Sequence, residues 1–125
     1  MAKMAKILDG RIVQAEIGKK LAAACRHLAP KPRLAIIQVG ARPETTLYIE
    51  MKKEFVIKIG VVVIHARYPE SIATAELISK IADFNRDPSV HGIIVQLPLT
   101  SRLAGAPILN AISAAKDVDG LSAVN

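Results

Sequence analysis

Three short aliphatic runs, each followed by a segment with helical spacing, constrain the fold of this chain more than any other feature. They occupy positions 34–39, 61–64 and 92–96 and consist almost entirely of Ile, Val, Leu and Ala. Apolar runs of this length are typical of strands buried on both faces. Strands that alternate with helices pair in parallel through crossover connections. The sequence therefore predicts one α/β domain over residues 1–125, a three-layer α-β-α arrangement around a parallel sheet.

Two helices are predicted in the first half of the chain. The first opens at Asp9 and ends before Pro30. Its apolar side chains recur at helical spacing, at Ile12, Val13, Ile17, Leu21, Ala24, Cys25 and Leu28. At such a position Cys25 is expected to be a small core residue rather than a nucleophile. The second helix is expected to be capped by Thr45 or Thr46 and to end at Gly60.

The second half of the chain completes the alternation and indicates where a ligand would bind. A third helix is predicted over 74–84, and Pro107 suits the first turn of a last helix. In open parallel sheets, ligands bind at the carboxyl ends of the strands. Segments 40–46, 65–68 and 96–101 follow the three predicted strands and are polar or rich in turn residues. We therefore expect the site to be built from these segments.

The charge distribution bears on the class of partner. The chain carries a net charge of +6, and residues 1–60 hold twelve Lys and Arg against five Asp and Glu. These cations stand singly or in pairs, and no aromatic stacking platform accompanies them. The pattern therefore disfavours nucleic-acid binding, and solvated helix faces account for the charge. A small acidic ligand is compatible with the same basic half.

Several other classes of function are disfavoured by missing motifs. No apolar run approaches the ~18 residues of a membrane span, and the first residues lack the apolar segment of a secretion signal. A single cysteine agrees with a reducing compartment, so we expect a cytoplasmic protein without a membrane partner. No glycine-rich nucleotide loop follows a predicted strand. His27, His65 and His91 share no ligand spacing, so no metal site is predicted.

Tyr48 and Lys52 are the first candidate functional pair. Four residues apart on a predicted helix, their side chains share one face. That helix begins just past the carboxyl end of a strand. A lysine ammonium beside apolar surface can serve as a general acid or base, and a neighbouring phenol can orient it or lie against a flat ligand ring. Spacing alone equally allows a surface lysine beside a half-buried tyrosine.

Gln96 and the segment 116–120 are further candidates. Gln96 ends an aliphatic strand, where a buried amide must find partners, either Lys52, a ligand carbonyl or nearby backbone. Asp117 and Asp119 stand one residue apart in a turn that ends at Gly120. Two such carboxylates can bind a cation, accept hydrogen bonds from ligand N–H groups, or cap their own backbone.

Taken together, these segments resemble the bifunctional methylenetetrahydrofolate dehydrogenase/methenyltetrahydrofolate cyclohydrolase family. The resemblance follows family order over nearly the whole chain, and the strand-end run that contains Gln96 is its most specific part. The matching stretches are 5–10 (AKILDG), 35–40 (AIIQVG), Thr45-x-x-Tyr48-x-x-x-Lys52, 87–99 (DPSVHGIIVQLPL) and 116–120 (KDVDG).

The resemblance implies roles for individual residues. Lys52 would be the catalytic acid/base when methenyltetrahydrofolate gains water and opens to the formyl form. Tyr48 would lie against the folate rings, and Gln96 would hydrogen-bond Lys52. Asp119 would accept N–H groups from the pterin edge. Leu97 and Pro98 would complete the substrate-binding residues.

The resemblance also implies features of a whole enzyme. Family members continue into a domain that binds NADP, and no residue of 1–125 is expected to bind that cofactor or a metal. The implied setting is one-carbon metabolism and purine biosynthesis in a cytoplasmic homodimer that acts on tetrahydrofolate derivatives. The 125 residues would then be the catalytic domain of a two-domain enzyme. A non-catalytic folate-binding or oligomerising module of the same fold is the alternative, and exposed apolar surface would favour self-association.

Overall fold

Helices and strands alternate along the chain in the predicted order. The structure is a computed structural model, and it describes residues 3–125. The elements are α1 (Gly10–Arg26), β1 (Arg33–Val39), α2 (Pro43–Lys58), β2 (Val62–Tyr68), α3 (Thr74–Arg86), β3 (Gly92–Val95) and α4 (Gly105–Asn110).

The three strands form one parallel sheet in the order β2-β1-β3, which confirms the predicted α/β class. In this register Ile36 of β1 lies opposite His65 of β2 and Ile94 of β3. The central strand is also the most deeply buried, since four consecutive side chains of β1 are fully enclosed. All three strands therefore end at the same edge of the sheet, where the predicted site segments begin.

Helices cover both faces of the sheet, as a three-layer arrangement requires. Alternate residues of β1 point to opposite faces. Ile36 packs with Ile49 of α2 and Ile94 on one face. The larger cluster on the other face joins β1 and β3 to α3 and α4, through Ala35, Ile37, Leu77, Ile81, Val90, Ile93, Val95, Leu103, Ile108 and Ile112 among others. The α2 face carries the candidate site, because Lys52 extends from that helix.

Two predicted boundaries are wrong, with physical reasons. The second helix is not capped by Thr45 or Thr46: it begins at Pro43, with Arg42 as the N-cap and no side-chain cap. Proline suits the first helical position, since its φ is already helical and it lacks an N–H that would find no partner. The segment 65–68 is not a loop, because β2 pairs with β1 along its full length as far as Tyr68. Backbone pairing thus outweighs the polar character of these side chains.

The first helix forms as predicted but does not bury its apolar side chains. Ile12, Val13, Ile17 and Leu21 are 40–62% exposed, whereas Cys25 is buried as expected. The helix packs on α2, where the Phe55 ring lies against Gly18. None of the helices in the described part of the chain is long and apolar enough to cross a membrane.

Candidate active site

Helix α2 and strand β3 bring Lys52 and Gln96 together. The Lys52 Nζ atom donates a hydrogen bond to Gln96 Oε1 at 2.9 Å, which is the contact that the family resemblance implied. Lys52 is partly buried, and Tyr48, four residues earlier on the same helix, is 58% exposed. The Lys52 ammonium, fixed by Gln96, and the accessible phenol ring of Tyr48 therefore lie on one side of α2.

Both the oxygen and the nitrogen of the Gln96 side-chain amide form hydrogen bonds. Its Nε2 donates to the carbonyl oxygen of Leu97 at 2.9 Å, which leaves Oε1 to accept from Lys52. Its backbone N–H donates to the Ile37 carbonyl at 2.9 Å and so continues the sheet ladder past the end of β3. Leu97 and Pro98 follow, exposed and joined by a cis peptide bond. An amide held in this way sets the position of the Lys52 ammonium.

The structure separates the two carboxylates that the sequence places in one turn. Asp117 is buried, and its carboxylate accepts from the backbone N–H of Gly120 and of Ser122 and from the Asn125 side chain, at 3.0–3.2 Å. Asp119 is exposed, and within residues 3–125 its carboxylate makes no hydrogen bond or ion pair. The capping interpretation therefore applies to Asp117, and Asp119 alone is available to a ligand.

The electrostatics of this turn favour the charged form of Asp117. The side chain and backbone N–H of Ser122, together with the Asn125 side chain, lower the pKa of Asp117 from 3.8 to about 2. Donors that point at a carboxylate stabilise its ionised state. Asp117 is therefore ionised throughout the neutral range and holds the turn with a full charge.

A buried polar network that sequence reasoning missed lies beside the site. Gln38 of β1 is fully buried; its Nε2 donates to Thr46 Oγ1 of α2 at 2.9 Å, and its Oε1 lies 2.8 Å from His65 Nε2. Burial lowers the pKa of His65, and the nearby Lys53 and Arg67 act in the same direction. The available signal was one amide inside an otherwise aliphatic strand, since such a group must find partners.

The candidate site is an open edge of the sheet rather than a cavity. A groove of about 490 Å³ runs between α1 and α2, and another of about 530 Å³, which Leu97 helps to line, lies between the segment after β3 and α4. Among residues 3–125, no three His, Cys, Asp or Glu side chains converge as metal ligands. Such an edge admits a flat ligand against Tyr48.

The turns that follow β1 and β2 do not fit the phosphates of a dinucleotide. The turn between β1 and α2 contains one glycine, Gly40, and Pro43 opens the helix without an N–H to offer a phosphate. The turn between β2 and α3 carries Glu70, whose charge repels phosphate. A dinucleotide phosphate site needs several convergent backbone N–H groups at a helix start.

Comparison with known families identifies the chain. The profile described as "Tetrahydrofolate dehydrogenase/cyclohydrolase, catalytic domain" matches residues 8–119. The chain belongs to this family. The bifunctional protein FolD of Rhodopseudomonas palustris (strain BisA53) is 39% identical over 125 residues, which cover 97% of this chain and 42% of that protein. The cytoplasmic C-1-tetrahydrofolate synthase of Drosophila melanogaster is 41% identical over 128 residues, 97% of this chain and 13% of that protein.

Solved structures agree with this membership. The bifunctional enzyme FolD of Campylobacter jejuni superimposes with a TM-score of 0.93 at 34% identity, over 95% of this chain and 43% of that one. The methylenetetrahydrofolate dehydrogenase-cyclohydrolase of Trypanosoma brucei, solved with NADP and an inhibitor, gives 0.91 at 27% identity, over 99% and 43%. The chain thus spans about two-fifths of the length of the FolD relatives.

Proposed function

We propose that this chain is the folate-binding catalytic domain of a methylenetetrahydrofolate dehydrogenase/cyclohydrolase, and that residues 1–125 contribute the hydrolytic chemistry. The observation that carries the proposal is the 2.9 Å hydrogen bond from Lys52 to Gln96 beside the exposed ring of Tyr48. This arrangement offers a positioned proton carrier next to a surface on which flat rings stack. Membership of the family supplies the substrate class.

In the proposed reaction, water adds to the carbon that joins N5 and N10 of methenyltetrahydrofolate. Lys52, as the neutral amine, accepts a proton from this water as its oxygen bonds to the carbon, and so becomes the ammonium. The bond from that carbon to N5 then breaks, and Lys52 returns the proton to N5. The second proton of the water is released to solvent, and 10-formyltetrahydrofolate remains. Gln96 keeps the Lys52 amino nitrogen in reach of both the water and N5, and Asp119 accepts N–H groups of the pterin.

Replacing Lys52 by Met tests this role. We expect the chain to hydrolyse methenyltetrahydrofolate slowly, and Lys52→Met to lower the enzymatic rate by about 100-fold or more, since general acid/base catalysis contributes at least that much. The measurement is the loss of methenyl absorbance after subtraction of spontaneous hydrolysis. Lys53→Met is the matched control, because Lys53 pairs with Glu50 instead of Gln96. Equal rates for wild type and Lys52→Met would overturn the assignment.

A binding measurement distinguishes the enzyme from the alternative, a non-catalytic folate-binding module. The open site, in which Asp119 has free acceptors, also suits a module that binds folate without turning it over. Titration with a stable folate analogue distinguishes the two: binding with turnover supports the enzyme, and binding without turnover supports the module. Absence of binding by the wild type contradicts both.

The same proposal extends to the whole enzyme. NADP would be the oxidant of methylenetetrahydrofolate and would bind outside residues 1–125, as a two-domain enzyme requires; the NADP-bound relative from Trypanosoma brucei supports this choice. We also propose a cytoplasmic homodimer that serves purine biosynthesis and has no nucleic-acid or membrane partner and no metal. The cytoplasmic relative from Drosophila melanogaster supports the location.

A further inference from the structure

The segment 116–120 contains three charged side chains. Two of them form hydrogen bonds within the protein, and the third remains free to bind a ligand. Lys116 and Asp117 are adjacent and opposite in charge, yet they do not pair with each other in the described residues. Each satisfies a different part of the fold. Asp119 keeps both carboxylate oxygens free. The charged side chains of this turn therefore have different structural roles.

Lys116 ties the turn to the end of α3. Its Nζ donates to the carbonyl oxygens of Phe84, Asn85 and Asp87 at 3.1, 2.9 and 2.8 Å. These carbonyls lie at the carboxyl end of α3, where backbone acceptors lack helical partners and the helix dipole is negative. All three ammonium protons thus find acceptors at the site on a helix that most favours a cation. The start of the turn is therefore fixed to α3.

Asp117 ties the turn to β3 and to the segment that follows it. Its backbone forms a parallel bridge with Ile93, whose N–H donates to the Lys116 carbonyl at 2.8 Å. Its carboxylate accepts from Gly120 on one oxygen and from Ser122 and Asn125 on the other. The backbone is thus held on both sides of Asp119, with Gly120 at φ +67°.

We propose that Lys116 and Asp117 are positioning residues that hold the Asp119 carboxylate toward the pterin. This inference rests on the proposed function, and it deepens it by adding the residues that fix substrate orientation. Neither side chain touches the ligand. Lys116 sets where the turn starts, Asp117 sets its curvature, and Asp119 occupies its exposed tip. A preformed acceptor recognises ligand N–H groups without first being ordered.

Discrimination between two ligands tests the proposal. A stable folate analogue and its 2-desamino counterpart differ in the amino group that Asp119 would accept. Wild type should prefer the amino form by about tenfold or more, the usual effect of a hydrogen bond to a charged group. Asp117→Asn and Lys116→Met should reduce this preference to about twofold or less. Asp119→Ala should abolish it, and adding Asp117→Asn to Asp119→Ala should cause no further loss, because residues that act through one another are not additive.

A control separates positioning from stability. Ile81 of α3 lies in the larger core cluster and makes none of the hydrogen bonds that hold the turn, so Ile81→Val weakens the fold without removing them. It should keep the full preference for the amino form. If Asp117→Asn and Lys116→Met lower stability as Ile81→Val does and also keep the preference, the proposal is overturned.

Amide hydrogen exchange tests the positioning role of Lys116 and Asp117 independently of ligand binding. If wild type binds neither analogue, the proposed function fails and, with it, the pterin as the ligand of the turn. The positioning of Asp119 is then judged by exchange at the Gly120 and Ser122 N–H groups. Asp117→Asn and Lys116→Met should accelerate exchange there by about tenfold or more relative to Ile81→Val, since these N–H groups lose their acceptor or their support. Unchanged exchange would refute the positioning role.

Discussion

At the residue scale, the separation of Asp117 from Asp119 shows how one turn divides two chemically identical groups. Asp117 is buried and accepts three hydrogen bonds, whereas Asp119 lies in solvent with free oxygens. Replacing Asp117 would therefore destabilise the turn, and replacing Asp119 would weaken ligand binding. Lys52 and Lys53 form a similar pair, since only the first donates to Gln96.

The lowered pKa of Asp117 predicts a pH dependence of stability. The folded state stabilises the ionised form of Asp117 more than the unfolded state does. The contribution of this carboxylate to the free energy of unfolding is therefore fully present above the unfolded pKa of 3.8 and is lost as pH falls to about 2. Urea unfolding of wild type and Asp117→Asn at pH steps from neutral to about 2 measures this. The difference in free energy of unfolding should stay constant above about pH 4 and shrink below it. A difference that does not change across that window would contradict the assignment.

At the element scale, α2 is attached to the sheet at two polar points. Gln38 of β1 bonds Thr46 near the start of the helix, and Gln96 after β3 bonds Lys52 in its middle. Between them, Ile49 is fully buried against Ile36. Apolar packing alone leaves a helix free to adjust its depth, whereas hydrogen bonds fix direction as well as distance. The position of Lys52 thus depends on β1 as well as on β3.

Replacing Gln38 by Leu tests the first attachment. The change leaves the Thr46 hydroxyl and the His65 ring without their partner, and a buried polar group that loses its partner costs about 1–3 kcal/mol. We expect a fall of that size in the free energy of unfolding, measured by urea titration. The matched control is Gln14→Leu at an exposed position of α1, which should change stability by less than about 0.5 kcal/mol. Equal effects of the two substitutions would argue against the network.

At the scale of the whole molecule, one side of α1 exposes apolar residues that an ordinary folded surface would cover. Val13 and Ile17 lie one helical turn apart, and both are about half exposed. Contiguous apolar surface of this kind usually marks a place of contact. The sequence predicted the helix from the same residues but could not show whether anything covers them.

We expect the 125-residue chain to associate with itself as its concentration rises. Sedimentation velocity over a hundredfold range of concentration should show an increasing mean mass, because association buries the apolar side of α1. The double substitution Val13→Lys/Ile17→Lys should keep the chain monomeric, since it places two charges on that surface. Its circular dichroism should match the wild type. A wild type that remains monomeric throughout would exclude the expectation.

The sequence by itself determined the alternation of strands and helices, the parallel sheet and the family. These follow from periodicity within short windows and from motifs whose residues stand close together. Element ends were harder to predict: α2 begins at Pro43, which suits a first helical position, and β2 extends through 65–68 because backbone pairing decides where a strand stops. Family resemblance supplied the contact between α2 and β3, which local patterns could not.

Only the tertiary structure decided which polar groups satisfy one another across distant segments. The contacts of Gln38 with His65 and of Lys116 with the end of α3 join residues 27 to 32 positions apart. A residue type states what a side chain can bind, whereas packing decides which partner lies within reach. For the same reason, the two aspartates of one motif have different environments, and several apolar side chains of α1 remain about half exposed.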